Sequence, residues 1–307
     1  MGSHNLRGAG LDRLISGQVR FEAPAAAYTS MGVGGPIAAL AFPRSAAEIE
    51  RLVGFCLNQG IPFLPLGNGT NLIVRDSGYP GVLISLSGLH DLSWTVSEAG
   101  EALVEAEAGV ALADLVNLSL KEGLKGIEFC AGIPGSVGGA VRMNAGAYGG
   151  EIKNCCGPVR LLTPGGGLRA VPRENLPFGY RILDLPAEMV IISATFRLER
   201  GERGTIAATV QDILAQRKNK HPLEYRNAGS IFKNPKNVPA GKLIEQVGLK
   251  GKRIGDAQVS EKHGNFIVNR GQATAEEILQ LIGLIQQQVL AATGVALQTE
   301  VTIIGAP

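Results

Sequence analysis

A serine flanked by glycine and apolar residues is the first group in this sequence that could carry out chemistry. Ser230 lies in residues 229–235, where Lys233 and Asn234 follow it closely. The segment places a hydroxyl close to a cation and an amide, a set of groups that could contribute to a site. Without further context such a segment is more typical of a turn. The pattern alone therefore leaves both interpretations open.

Two more charged residues lie in segments that could contribute to a site. Arg181 follows Phe178-Gly179-Tyr180 and precedes aliphatic residues, a setting in which a guanidinium could pair with a carboxylate or simply anchor a surface loop. Glu300 lies on a predicted final strand, where alternation places it on one face with Gln298 and Thr302. A charge facing solvent is the more ordinary role for such a glutamate.

Two glycine-rich stretches, residues 66–71 and 132–150, predict that this chain binds the phosphates of a large nucleotide cofactor. Consecutive backbone N–H groups in such turns form an anion-binding concavity, and small residues let the anion approach. The chain has 42 glycines, an excess that indicates many functional loops. The predicted cofactor-binding residues are Leu66, Gly67, Asn68, Gly69, Thr70, Asn71, Gly132, Ile133, Pro134, Gly135, Ser136, Gly138, Gly139, Asn144, Ala145 and Gly146.

Neither stretch has the fingerprint of the commonest nucleotide-binding folds. Gly67 and Gly69 are not followed by the third glycine of the doubly wound dinucleotide motif, and no Gly-Lys pair precedes Ser or Thr as in a P-loop. The four cysteines lack C-x-x-C spacing and the histidines lie far apart, so no metal site is predicted. The G-x-S-x-G motif of one large hydrolase class is absent as well.

The elements that must position these residues form a mixture of helices and strands. Capping boxes at residues 45–48 and 274–277 begin two helices, which Gly60 and Gly294 end. Charge and glycine at residues 200–204 indicate a domain boundary. The pattern predicts an α+β protein with mixed sheets. The predicted helices are 45–59, 111–122, 206–220 and 274–294, and the predicted strands are 38–42, 61–66, 72–74, 82–86, 159–162, 168–171, 189–198 and 295–304.

Composition narrows the class of protein. A chain of 307 residues exceeds the usual size of a single core, and 45% hydrophobic with 18% charged residues is typical of a water-soluble globule. A net charge of +2 gives no reason to expect nucleic acid or a membrane as partner. No apolar run approaches the ~20 residues needed to span a bilayer and no secretion signal is apparent, so we expect a cytoplasmic protein. Residues 1–4 resemble a cloning remnant, and residues 1–10 are expected to be disordered.

Taken together, the motifs at residues 66–72, 132–148, 178–181, 229–235 and 243–263 resemble the UDP-N-acetylenolpyruvoylglucosamine reductase family, over residues 11–304. The resemblance implies a two-lobed FAD-binding domain of the vanillyl-alcohol-oxidase (PCMH) type followed by an α+β substrate domain. It implies lobes at 11–88 and 89–203 and a substrate domain at 204–307, in the shorter form of the family that lacks a tyrosine-bearing substrate loop. The cofactor would be non-covalently bound FAD, with NADPH as reductant.

The implied activity is reduction of UDP-N-acetylglucosamine enolpyruvate to UDP-N-acetylmuramate, a step of peptidoglycan precursor synthesis. Carried over by motif, Ser230 is the proton donor, and Arg181 and Glu300 flank the substrate carboxylate. Hydride arriving at the enolpyruvyl group creates negative charge that Arg181 would stabilise and that Ser230 would quench. The implied substrate contacts are Tyr180, Lys233, Asn234, Lys250 and Gln258. A nucleotide sugar would then be the partner, and a monomer is favoured.

The sequence departs from the family pattern at two places. Gly32 stands where relatives often carry arginine, and Ile182-Leu183 follow Arg181 where a serine is common. Two other functions remain open from the sequence. An oxidase of the same flavin fold would react with oxygen, often through a covalent flavin, and a non-catalytic nucleotide-binding or regulatory protein would be colourless.

Overall fold

The computed structural model of the chain describes residues 3–306, which form both helices and strands. The helices are α1 (Ser3–Gly8), α2 (Ala46–Gln59), α3 (Leu112–Glu122), α4 (Val137–Arg142), α5 (Arg203–Lys220), α6 (Ala240–Gln246) and α7 (Ala275–Thr293). The strands are β1 (Val19–Pro24), β2 (Pro36–Ala41), β3 (Phe63–Leu66), β4 (Leu72–Val74), β5 (Tyr79–Ser85), β6 (Leu92–Val96), β7 (Ala102–Glu107), β8 (Leu124–Lys125), β9 (Gly146–Ala147), β10 (Gly150–Glu151), β11 (Cys156–Leu162), β12 (Leu168–Val171), β13 (Phe178–Gly179), β14 (Ile182–Leu183), β15 (Val190–Arg200), β16 (Arg226–Ser230), β17 (Arg253–Ile254), β18 (Ala257–Val259), β19 (Phe266–Asn269) and β20 (Thr302–Ile304).

Two compact units divide the chain, and neither is continuous in sequence. The first comprises Met1–Phe21, Ala39–Asn68 and Gly81–Gln216, and the second comprises Glu22–Ala38, Gly69–Pro80 and Arg217–Pro307. The sequence predicts three consecutive domains, 11–88, 89–203 and 204–307. These bounds remain a prediction. Within the expected disordered residues 1–10, Ser3–Gly8 is helical and Leu6 is buried, while residues 1–2 lie outside the described part of the chain.

The first unit is built on an antiparallel sheet of order β12-β11-β15-β7-β6, with β8 also paired to β15. The long central strand β15 is buried along most of its length, as an inner strand should be. Helix α4 packs against β15 and β7. It can approach closely because a side chain on Gly138 would come within 2.8 Å of the Ala108 methyl group. Strands β3 and β5 pair in parallel, with Phe63 opposite Val82.

The second unit has an antiparallel sheet of order β16-β19-β18-β17 and a parallel pair, β20 and β4. Helix α7 packs on β17, β18 and α6. The apolar face of α7 is buried in the core of this unit because its hydrophobic residues recur at helical spacing. The core includes Ile231, Phe232, Ile244, Ile278, Leu281 and Ile285.

Helix ends follow the local signals closely. Thr274 and Glu277 form a complete capping box at the start of α7. At the start of α2, Ser45 accepts the expected bond from the Glu48 amide, but the Glu48 carboxylate binds the amide of Arg44 instead of closing the box on Ser45. A second bond, from the Ser16 amide at 2.8 Å, explains why this carboxylate is directed away from the box.

The expected last strand at 295–304 is wrong over most of its length. Strand β20 covers only Thr302–Ile304, and an isolated bridge joins Thr299 to Phe232. The physical reason lies in the pairing partners. Residues 302–304 pair with β4, whereas the segment before them bonds to the residues that follow β16 through the amides of Glu300 and Lys233.

Candidate active site

The first glycine-rich stretch is a loop between β3 and β4, and its Gly67 lies against Ser136. A side chain on Gly67 would come within 2.6 Å of the Ser136 hydroxyl oxygen, so only glycine leaves this space open. Ser136 is 1% exposed, and its hydroxyl has no hydrogen-bond partner among residues 3–306. A buried hydroxyl without a hydrogen-bond partner beside a glycine backbone is suited to bind a phosphate group of a nucleotide cofactor.

The same loop also supports the second unit. The Gly69 carbonyl accepts a hydrogen bond from the Ser30 amide at 3.0 Å. The Asn71 side-chain amide donates to the Glu300 carbonyl oxygen at 3.1 Å. Asn71, predicted to bind the cofactor, therefore also fixes the backbone of a predicted catalytic residue. Leu66 is buried, and Asn68 and Thr70 complete the loop.

The second stretch turns through Gly132 and Gly135, which have φ values of 69° and 145°, and then enters α4. Ile133, Pro134 and Gly139 belong to this turn and the first residues of α4. Asn144 behaves differently from a ligand-facing residue. It is fully buried, and its side chain bonds to the Glu151 carboxylate, the Gly179 carbonyl and the Lys153 amide. A contact of Asn144 with a cofactor would therefore use its backbone.

Arg181 occupies the two-residue turn of the β13–β14 hairpin, and its φ is 57°. Left-handed backbone is uncommon for a residue with a side chain and costs about 1 kcal/mol or more. The half-buried guanidinium lies on Gly146, where an added side chain would come within 2.9 Å of one of its nitrogens. Leu183 is buried and holds the hairpin down, while Tyr180 is 51% exposed. Of the two residues of the Ile182-Leu183 departure, Leu183 is therefore buried, whereas Ile182 is exposed.

Ser230 ends β16 directly after a β-bulge. Asn227 pairs with Val268 and Ser230 pairs with Phe266, so β16 has one residue more than β19 over this stretch. Gly229 has a φ of 73°, which the extra residue requires. Bulges redirect the side chains that follow them. The sequence motif predicted Ser230 as a site residue, but it did not predict the β-bulge that orients its side chain.

A ladder of backbone bonds places Glu300 beside the residues that follow Ser230. The Glu300 amide donates to the Ile231 carbonyl at 2.7 Å, and the Lys233 amide donates to the Gln298 carbonyl at 2.9 Å. The structure therefore brings Ser230 and Glu300 onto neighbouring segments of the second unit. Arg181 belongs to the first unit.

The predicted substrate contacts of the second unit have varied surroundings. Lys233 is half-buried, and Asn234 accepts a bond from the Ala240 amide at 3.0 Å. The Lys250 ammonium is 3.1 Å from the Glu245 carboxylate. The Gln258 side chain donates to the Gly251 carbonyl at 3.1 Å. Asn234 and Gln258 therefore already have structural bonds, while both lysines keep donors for an anionic ligand.

Two histidines that are far apart in the sequence lie together against Phe266, the strand partner of Ser230. The ring centroids of His221 and His263 are 5.5 Å apart, and each ring is about 5 Å from that of Phe266. Burial, reinforced by the charge of Arg217, lowers the pKa of His221 to about 4. Burial also lowers the pKa of His263. Both rings are therefore neutral near pH 7.

Gly32, the other position at which the sequence departs from the family pattern, lies against the side chain of Arg226, the first residue of β16. Its φ is 70°, and an added side chain would come within 2.6 Å of a guanidinium nitrogen of Arg226. Neither the turn nor this close approach has a local signal in the sequence.

The described residues contain no group of three or more His, Cys, Asp or Glu side chains placed to hold a metal ion.

Burial raises the pKa values of Cys56, Cys155 and Cys156 to about 12, so these thiols are protonated and unreactive. Across residues 3–306, no helix has the length and apolar character needed to cross a bilayer.

Comparison with known proteins identifies both parts of the chain. Residues 36–171 match the family model described as an FAD-binding domain, and residues 221–304 match the C-terminal domain of UDP-N-acetylenolpyruvoylglucosamine reductase. The reductase of that name from Syntrophus aciditrophicus is 54% identical over 295 residues, which cover 96% of this chain and 95% of the relative.

Solved structures agree with these matches. The UDP-N-acetylenolpyruvylglucosamine reductase of Thermus caldophilus superposes with a TM-score of 0.79 and 34% identity, covering 94% of this chain and 99% of that one. A solvent-stable cholesterol oxidase, 18% identical, shares the fold over 59% of this chain and 38% of its own, with a TM-score of 0.50. The predicted fold class and FAD cofactor are confirmed. The chain belongs to the UDP-N-acetylenolpyruvoylglucosamine reductase family.

Proposed function

We propose that this chain uses NADPH and FAD to reduce UDP-N-acetylglucosamine enolpyruvate to UDP-N-acetylmuramate, in peptidoglycan precursor synthesis. One observation carries the proposal. The backbone ladder sets Glu300 beside the segment that follows Ser230, within the region that matches the family's C-terminal domain. A proton donor and a carboxyl group on neighbouring segments suit the second half of such a reduction. We further propose a monomeric enzyme of the cytoplasm, where NADPH and nucleotide sugars are available.

The residues present fit FAD. Gly67, Ser136 and the turn through Gly132 and Gly135 would hold its pyrophosphate, because they offer a buried hydroxyl and exposed backbone in a space without side chains. When bound, FAD would take a hydride from NADPH and deliver it to the terminal carbon of the enolpyruvyl group.

The protein's own residues would manage the charge that this addition creates. The carbon–carbon double bond becomes single, and negative charge develops on the adjacent carbon and its carboxylate. Arg181 would stabilise that charge by pairing with the carboxylate. Ser230 would transfer its hydroxyl proton to the adjacent carbon and recover a proton from solvent. Glu300 would share a proton with the substrate carboxylate and so reduce the repulsion between them.

The nucleotide and sugar would bind to basic and polar residues of the second unit. Lys233 and Lys250 would pair with the diphosphate, and Asn234 and Gln258 would contact it or the sugar through the hydrogen-bonding capacity they have left. Tyr180, exposed on the hairpin turn, would pack against the substrate.

Anaerobic titration tests this function. NADPH should bleach the flavin absorbance of the purified protein, and UDP-N-acetylglucosamine enolpyruvate should restore it in stoichiometric amount. Recovery only with oxygen would favour an oxidase of the same fold. A protein that binds no flavin would instead favour the non-catalytic alternative.

A further inference from the structure

The strand that carries Ser230 is held on both sides by asparagine side chains. On the N-terminal side, the Asn227 side-chain oxygen accepts from the Gly229 amide at 3.0 Å, and its amide group donates to the Tyr225 carbonyl at 2.8 Å. The Asn227 carbonyl in turn accepts from the Ser30 hydroxyl at 2.7 Å. These bonds close the bulge one residue before Ser230, where the regular ladder is interrupted.

On the C-terminal side, Asn265 replaces part of the ladder. Its side-chain oxygen accepts from the Phe232 amide at 3.0 Å, and its side-chain amide donates to the Phe232 carbonyl at 2.8 Å. Its own carbonyl accepts from the Ile231 amide at 2.9 Å. Asn265 is 3% exposed, so these bonds are shielded from water.

We propose that Asn227 and Asn265 are positioning residues that fix Ser230 for proton transfer. The inference rests on the proposed function. Gly229 has left-handed backbone and the ladder is irregular here, so without the two side chains the chain around Ser230 would have several accessible conformations. Because a displacement of about 1 Å can cost roughly 100-fold in rate, a hydroxyl on such a segment would transfer its proton slowly.

Four variants test the proposal in the FAD-loaded enzyme. Asn227→Ala and Asn265→Ala each remove one side of the support. Asn227→Asp keeps an oxygen for the Gly229 amide while losing the bond to Tyr225. Asn269→Ala is the matched control, since Asn269 is a buried asparagine of the same sheet that bonds to Met31, Gly271 and Ala273, near the opposite end of β19 from Ser230.

Rapid-mixing measurements separate flavin reduction by NADPH from its reoxidation by the enolpyruvyl substrate. We expect the two alanine variants at 227 and 265 to keep the first rate within about 2-fold and to lose at least about 10-fold in the second. Their solvent deuterium isotope effect on reoxidation should rise because proton transfer becomes limiting. Asn227→Asp should stay within about 3-fold of wild type, and Asn269→Ala should lower the melting temperature without changing the ratio of the two rates.

Amide hydrogen exchange gives a readout independent of turnover. Exchange at Gly229 should accelerate in Asn227→Ala, and exchange at Phe232 should accelerate in Asn265→Ala. Unchanged exchange, equal slowing of both half-reactions, or a control that behaves like the test variants would overturn the proposal. Wild-type enzyme that the substrate cannot reoxidise would reject the proposed function, and this inference with it. Variants that match an active wild type would reject the inference alone.

Discussion

At the scale of single residues, Arg181 combines a disfavoured backbone with a side chain suited to an anion. Its φ of 57° falls at the turn position where glycine or asparagine is preferred. A residue kept in such a conformation usually serves a function rather than stability. The role of the Arg181 guanidinium and the cost of the Arg181 backbone conformation can therefore be measured separately.

We predict that Arg181→Gly keeps the free energy of unfolding within about 1 kcal/mol of wild type while reoxidation of the flavin by substrate nearly stops. The loss follows from the missing guanidinium, because glycine adopts the same turn without strain. Urea denaturation and anaerobic half-reactions measure the two effects. Arg181→Lys serves as the comparison and should recover only part of the rate, since an ammonium lacks the planar pair of donors. Full activity of the glycine variant would remove Arg181 from the mechanism.

Ser230→Ala tests the proposed role of Ser230 as proton donor. The variant should fold normally and accept electrons from NADPH at the wild-type rate, because Ser230 takes no part in that half-reaction. Reoxidation by the enolpyruvyl substrate should fall by about 100-fold or more. Stopped-flow absorbance of the flavin reports both steps, and normal turnover would show that another group supplies the proton.

At the scale of elements, the four predicted helices correspond to α2, α3, α5 and α7 because helix ends depend on neighbouring residues, whereas the short helices α1, α4 and α6 were not predicted. The sequence signals at 45–48, 60, 123 and 294 coincide with the observed ends of α2, α3 and α7. Strands that depend on distant partners were harder. The bulge before Ser230 and the short β17–β19 have no local signal, and the last strand was predicted seven residues too early because alternation does not show where β4 begins to pair.

Two glycines, one within α7 and one at its C-terminal cap, should respond in opposite ways to the same change. Gly283 lies on the exposed face, and an added methyl group would meet nothing within 4 Å. Gly283→Ala should therefore stabilise the protein by about 0.5–1 kcal/mol. Gly294 ends the helix with a φ of 74°, so Gly294→Ala should destabilise it by about 1 kcal/mol. Chemical denaturation of both variants measures the difference, and equal effects would contradict the assigned helix end.

At the scale of the whole molecule, stability should depend on pH through His221. Its pKa of about 4 is below the ordinary 6.5 because burial and the nearby Arg217 disfavour the charged ring. The unfolded chain therefore binds more protons than the folded one between these values, and stability is lost as pH falls from about 6.5 towards 4. His263 adds to the effect in the same direction.

We predict that His221→Phe loses less stability than wild type when the pH is lowered from about 7.5 to about 5, a change that covers the upper part of this window. Phenylalanine can pack against Phe266 and does not titrate. Urea midpoints at each pH measure the effect. His90→Phe, at an exposed position, is the control and should follow wild type. A steeper pH dependence in His221→Phe would show that the ring is charged in the folded protein.

The candidate site shows the same division between local and distant information. Ser230, Arg181 and the glycine loops could be found from motifs, since each has a characteristic run of residues. The support at Asn265, the contact of Gly67 with Ser136 and the ladder to Glu300 could not, because each joins segments far apart in the chain.

The packing of Arg226 on Gly32 makes the two positions interdependent in evolution. A side chain at 32 would occupy space that the Arg226 side chain now fills and would force it to move, so we expect family members with arginine at the first position to carry a short residue at the second. Gly32→Arg alone would be destabilised both by the left-handed backbone at position 32 and by the clash of its side chain with Arg226. The double variant Gly32→Arg/Arg226→Gly would retain only the cost of the left-handed backbone. The free energy of unfolding that it recovers relative to Gly32→Arg would measure the coupling between the two positions.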